Sequence, residues 1–295
     1  MSKPWIFISP SSRGIGHALT ATLLRRTSLP ILATARSDLS GVKASLLDTA
    51  FSSSHKTSQA DREDTASRLH ITHLDVTDES SISSAASKAS ELFPPSSHHL
   101  HLAFCLPGIL KPEKSPKQVE YEESLQMLKV NTLGPLMCMK HLGEFLPRKG
   151  TDLGVIQELN RKPGEGTDEK GEGGMRLFVL PRHATYLTNS ARVGSTSDNG
   201  LGGWYSYRAS KAGVNSITKS FDLYLQTRST DKALAIAYHP GTVKTGLSKE
   251  FWGNVKEEKL FTPEFAVEKM LEVVQSRKVE NRGRCWDWKG DEIHP

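Results

Sequence analysis

The sequence predicts an α/β fold, a single doubly wound parallel sheet of about seven strands with helices on both faces. Three observations carry this expectation. Short apolar runs rich in β-branched residues alternate with helical stretches along the chain, the first run leads into a glycine-bearing turn and then a helix, and no internal repeat divides the 295 residues. A chain of this length can bury a substantial core, and it reads as one domain spanning 1–295.

The first strand is expected at 5–9, "WIFIS", followed by runs at 30–35 "PILATA", 69–76 "LHITHLDV", 100–105 "LHLAFC", 176–189, 233–238 "ALAIAY" and 283–288 "GRCWDW". Helical spacing of apolar residues marks 14–27, 79–93, 117–146, 204–227 and 263–277. Over 204–227, Val214, Ile217, Phe221 and Tyr224 form one apolar stripe. Asp, Glu and Ser cluster before the helix at 79, which makes Asp78 its expected cap. Two stretches interrupt the alternation, at 51–68 and 157–175. Both are polar, rich in Ser, Gly and charge, and read as surface insertions.

Charge and cysteines exclude several classes of function. The net charge of +5 comes from 38 basic residues scattered among 33 acidic ones, a solvated surface rather than a nucleic-acid footprint. Cys105, Cys138 and Cys285 have no metal spacing and make no even-numbered framework, so a reducing, cytoplasmic setting is expected. No apolar run approaches the ~20 residues that span a bilayer, and neither end carries a recognisable targeting signal.

Two motifs carry chemistry. "SPSSRGIG", residues 9–16, lies between the first strand and first helix, where glycines let a backbone approach a pyrophosphate and a helix N-terminus meets its charge. "GGWYSYRASKAG", residues 202–213, sets Tyr207 and Lys211 four apart, on one helix face. An ammonium beside a phenol favours the phenolate and lowers a pKa that is about 10 when unperturbed. The spacing thus predicts a tyrosine able to exchange a proton near neutrality.

With these motifs in this order, the chain resembles the short-chain dehydrogenase/reductase family, and "VGSTSDN" followed by "GGWYSYRASKAG" resembles its C-factor-like carbonyl reductase branch. The resemblance runs from Trp5 to about Gly290, apart from the two insertions. It implies a Rossmann-type NAD(P)-binding domain. Ser9, Ser11, Ser12, Arg13, Gly14, Ile15 and Gly16 stand in the place of the family's T-G-x-x-x-G-x-G loop, with Ser9 for the threonine and Pro10 for the first glycine. Proline fixes φ and gives no N–H, so the Ser11 and Ser12 hydroxyls and the N–H groups near Gly14 are expected to hold the pyrophosphate in an altered loop.

By the same resemblance, Arg13 and Arg36 stand where NADP-preferring members place arginines for the 2′-phosphate, so NADP(H) is the expected cofactor. Asp75 and Val76 match the adenine-binding pair, and Pro240, Gly241, Thr242, Val243 and Thr245 match the segment around the nicotinamide. Cys105-Leu106-Pro107-Gly108 replaces the family's N-N-A-G, with Gly108 kept and Cys105 read as a packing residue. The catalytic set implied is Tyr207, Lys211, Asn131 and a serine. Counted from Gly194, the usual serine position is Ala191; Ser190 is assigned the role, with Ser195 or a weaker oxyanion partner as alternatives. Phe251 and Trp252 follow the nicotinamide segment as candidates for an apolar lid.

The implied function is NADPH-dependent reduction of a small ketone or aldehyde, or the reverse alcohol oxidation, with homo-oligomer formation left open. The alternative is an NADP(H)-binding scaffold or redox sensor with impaired turnover, toward which Pro10, Cys105 to Pro107 and Ala191 lean. Extended sugar-nucleotide epimerases also use Y-x-x-x-K, but their corresponding glycines are usually three residues apart, against the two-residue step from Gly14 to Gly16.

Overall fold

The computed structural model describes residues 1–52, 58–161 and 177–295. Its elements run β1 (Lys3–Ser9), α1 (Gly14–Arg26), β2 (Ile31–Ala35), α2 (Leu39–Phe51), α3 (Gln59–Arg68), β3 (Leu69–His73), α4 (Glu79–Leu92), β4 (His98–Cys105), α5 (Tyr121–Leu128), α6 (Gly134–Leu142), α7 (Gly154–Asn160) and β5 (Ala184–Asn189). They continue α8 (Tyr205–Ser229), β6 (Ala233–His239), β7 (Thr242–Val243), β8 (Leu260–Phe261), α9 (Pro263–Ser276), β9 (Cys285–Asp287) and β10 (Glu292–Ile293). The main sheet has eight strands in the order β10-β9-β6-β5-β4-β1-β2-β3. All seven expected strands are present and parallel, and β10 adds an antiparallel edge against β9.

Strand β1 shows why the sheet is covered on both sides. Successive side chains of a strand point to opposite faces. Ile6 and Ile8 enter a core with Leu19 and Leu23 of α1, Leu46 of α2 and Met270 of α9. Trp5 and Phe7 enter the other core, with Ile82 and Ala85 of α4, Leu142 of α6 and Leu225 of α8. Trp5 stacks on Phe93 at 4.7 Å between ring centroids and meets Phe145 edge-on at 5.6 Å. Chain order reverses between β1 and β4, so the carboxyl ends of β1, β4 and β5 open onto a crevice where α/β sheets bind ligands.

Three local differences from the sequence expectation have physical causes. Between 117 and 146 the helix is split: α5 and α6 are joined by a π-helical turn, Lys129–Leu133, and short 3-10 turns, Pro116–Gln118 and Gly143–Phe145, flank them. In the polar stretch 51–68, Gln59–Arg68 folds as α3, closed by a capping box between Ser58 and Asp61 and burying no residue. Residues 53–57 and 162–176 of the two expected insertions lie outside the described residues. On α8 the buried face is Tyr207, Ser210, Lys211, Val214, Thr218, Asp222 and Leu225, while Tyr224 of the expected apolar stripe is 49% exposed. Asp78 caps α4 through Ser80 N–H, as expected. Among the described residues no helix is long and apolar enough to cross a membrane.

Candidate active site

A cleft of about 640 Å³ opens at this crevice, running from the glycine loop past Gly108 and Asn189 to Thr245 and Phe251. Its floor is the turn from β1 into α1. Gly14 has φ +58°, and a Cβ there would stand 3.2 Å from Thr245 Cγ2; a Cβ on Gly16 would fall 1.8 Å from the Pro10 carbonyl oxygen. Glycine at both places lets the helix start against the loop. The α1 N-terminus has no side-chain cap and no acidic residue in its first turn, which leaves its N–H groups available to an anion.

The serines of this loop divide. Ser12 is exposed next to exposed Arg13. Ser11 is buried: its hydroxyl donates to Ile8 O at 3.1 Å and accepts from Thr20 Oγ1, and its N–H donates to Thr34 O. Ser9 is also buried and accepts from Thr34 Oγ1 at 2.8 Å. The expectation that the Ser11 hydroxyl faces a pyrophosphate is therefore corrected, because its proton is committed inside the fold. Ser9 and Ser11 tie the loop to β1, β2 and α1.

On the opposite wall, Tyr207 and Lys211 occupy the buried face of α8. Lys211 Nζ lies 5.8 Å from the Tyr207 ring centroid and donates to Asn189 O at 2.7 Å, at the end of β5. Burial lowers the Lys211 pKa to about 8 and pushes the Tyr207 phenol well above its usual range. Where the spacing predicts a lowered phenol, burial moves Tyr207 in the opposite direction. A neutral phenol near neutral pH is a proton donor.

Asn131 sits in the π-helical turn and is fully buried. Its Oδ1 accepts Ile109 N–H at 2.8 Å, and its Nδ2 donates to Ile109 O and to Ser210 Oγ on α8. One amide therefore locks the strand β4 exit, the π turn and α8 together. Cys105 is buried, as expected of a packing residue.

The serines near the cleft are engaged within the fold. The Ser190 hydroxyl donates to Asn215 Oδ1 at 2.6 Å. Ser195 is buried and accepts the Asp198 N–H, closing a turn. Ala191 itself packs with Tyr207 and Met127, so a methyl group lies where a hydroxyl was sought. Sequence reasoning passed over Asn189, which lines the cleft, and Glu113, whose carboxylate holds the start of α8.

The far end of the cleft carries charge. Arg13 lines it, and Arg36 is exposed just after β2. Neither forms an ion pair among the described residues. Asp75 Oδ1 accepts from the N–H and hydroxyl of Thr77, and these bonds, with a smaller contribution from Arg36, hold its carboxyl below the usual range. Val76 packs against Gly134, where a Cβ would come within 2.7 Å. Pro240 is buried, and Gly241, with φ +76°, turns the chain beside Phe261. Thr242–Val243 then pairs with β8, and Thr245 returns to Gly14. Phe251 lines the cleft and packs on Trp204 at 5.3 Å, which in turn meets Tyr207 edge-on at 6.0 Å. Trp252 instead donates its indole N–H to Ser248 Oγ.

No family model matches the chain. It is 27% identical over 211 residues to 1-hydroxy-2-glutathionyl-2-methyl-3-butene dehydrogenase of Rhodococcus sp. (strain AD45), covering 72% of this chain and 74% of that one. It is 31% identical over 120 residues to C-signal of Myxococcus xanthus, 41% of this chain and 64% of that one. Among solved structures, the carbonyl reductase Sniffer of D. melanogaster superposes with a TM-score of 0.70 at 20% identity, over 100% of both chains. An NADPH-bound carbonyl reductase from chicken fatty liver does so with a TM-score of 0.70 at 21% identity, also over 100% of both. The chain therefore has the Rossmann-type fold of these carbonyl reductases.

Proposed function

We propose that this protein is a short-chain dehydrogenase/reductase, a single NADP(H)-binding domain that reduces an apolar ketone or aldehyde. The observation that carries the reading is the Tyr207 and Lys211 pair, one turn apart on the buried face of α8, with Lys211 bonded to the strand end that lines the cleft. The residues present suit the cofactor: an uncapped helix N-terminus behind two glycines, Arg13 and Arg36 for a 2′-phosphate, and an orphaned amide oxygen on Asn189. When bound, the nicotinamide supplies the hydride.

The chain's own part is orientation and a proton. Tyr207, kept neutral by burial, donates its phenolic proton to the carbonyl oxygen. Lys211 supplies positive charge beside the phenolate that this leaves. Asn131 fixes the π turn against α8, so the proton donor keeps its place. Ile109, Leu110, Trp204 and Phe251 offer an apolar wall near the phenol, which favours an apolar substrate.

A second reading, an NADP(H)-binding protein of impaired turnover, is favoured by the Ala191 methyl beside Tyr207 and by the engaged Ser190 hydroxyl. One experiment separates the two: NADPH oxidation by purified protein against ketones, aldehydes and quinones, with cofactor binding followed by fluorescence. The enzyme reading expects turnover that vanishes in Tyr207→Phe with NADPH affinity kept. It also expects Lys211→Met to lose both. Parental rates in Tyr207→Phe would mean that the proton comes from another group and remove the Tyr207 assignment, and binding without any turnover across the panel would favour the second reading.

A further inference from the structure

Asn189 ends β5 and lines the cleft. Three polar atoms converge above Gly108: a Cβ built there would stand 3.8 Å from Lys211 Nζ, 3.9 Å from Asn131 Oδ1 and 3.9 Å from Asn189 Nδ2. The two asparagines differ in what they have left to give. Asn131 spends its oxygen on Ile109 N–H and its nitrogen on Ile109 O and Ser210 Oγ. Asn189 Oδ1 is buried and has no hydrogen-bond partner.

An acceptor left unpaired in a buried place is costly, so the site gains when a ligand brings it a donor. Phosphates and carbonyl oxygens only accept and cannot satisfy it. A sugar hydroxyl both donates and accepts. Lys211, close by, only donates. A pair made of one acceptor and one donor matches two adjacent hydroxyls.

Resting on the NADP(H) reading above, we propose that Asn189 is a cofactor-binding residue whose amide oxygen, with Lys211 Nζ, holds the adjacent hydroxyls of the nicotinamide ribose. The substitution Asn189→Leu removes the acceptor and keeps the approximate volume. Binding is measured by fluorescence for NADPH, and by calorimetry for 2′-phospho-ADP-ribose, which carries that ribose without the nicotinamide ring, and for adenosine 2′,5′-bisphosphate, which lacks the ribose.

Asn189→Leu is expected to weaken the first two by about tenfold, the loss of one well-placed hydrogen bond, and to leave the third unchanged. Asn189→Asp keeps an acceptor in place and is expected to bind both ribose-bearing ligands at the parental level. A loss confined to NADPH would assign the amide to the nicotinamide ring instead and overturn the proposal. Equal losses for all three ligands, no loss for any, or an Asn189→Asp protein as weak as Asn189→Leu would overturn it as well. If the parent chain binds none of the three, the NADP(H) reading itself falls.

Discussion

The carboxylate of Glu113 receives both the backbone N–H and the hydroxyl of Ser206, at 2.8 and 2.6 Å, one residue before Tyr207. Trp204, the residue preceding α8, provides no side-chain cap, and its N–H donates to Glu113 O. A residue 93 positions earlier thus closes the helix that carries Tyr207 and Lys211. Its negative charge also lies at the helix N-terminus, where the backbone dipoles favour it.

Glu113→Ala is therefore expected to lower stability by about 1–3 kcal/mol, because the Ser206 N–H is left buried and unpaired. Glu113→Gln still offers one carbonyl oxygen and should recover part of the loss. Urea unfolding of both variants checks the order. Equal stability of Glu113→Ala and the parent would show that the contact contributes nothing.

Acid should destabilise the fold through a buried chain of imidazoles. Pro181 O can only accept, so His101 Nε2 carries its proton; His101 Nδ1 then accepts from His99 Nε2, and His99 Nδ1 accepts from the Ser2 hydroxyl. Burial lowers the pKa of His99 to about 4 and that of His101 to about 3. In the unfolded chain both rings titrate near 6.5, so between that pH and the folded values the unfolded state binds more protons. Stability is full above about 6.5 and falls as pH drops, by about 1.4 kcal/mol per pH unit for each ring. Thermal melts from pH 7 to pH 4 test this. His101→Gln, whose amide can still donate to Pro181 O, should show a shallower fall.

The sheet was legible because most of its parallel strands are short buried runs, and runs such as 30–35 and 233–238 coincide with β2 and β6 within a residue. β10, two residues long, is too short to carry a pattern. The helix break at Asn131 left no mark in the apolar pattern, because a π turn inserts one residue without disturbing the apolar count. The inner face of α8 misled for a different reason. It is polar because it carries the site and, further along, Asp222, which pairs with Arg282 at 2.9 Å and accepts Ala235 N–H. Tyr207 and Lys211 were readable from local spacing. Glu113 was not, since its bond to Ser206 spans 93 positions and leaves no local trace.

The serine question has a direct test in the two neighbouring positions. Ser190 gives its proton to Asn215, so Ser190→Ala should cost about 1 kcal/mol of stability, the net worth of one hydrogen bond, and leave turnover near the parental level. Ala191 packs against Tyr207, so Ala191→Ser adds a hydroxyl beside the proton donor. If carbonyl reduction here lacks an oxyanion donor, that hydroxyl should raise kcat, with an upper bound near the roughly 10²-fold that one such donor supplies. Steady-state kinetics with the best substrate of the panel, next to urea unfolding, separates gain in chemistry from loss of packing. A collapsed kcat in Ser190→Ala, with stability intact and no gain in Ala191→Ser, would return the role to Ser190 and imply that its hydroxyl turns from Asn215 to the substrate.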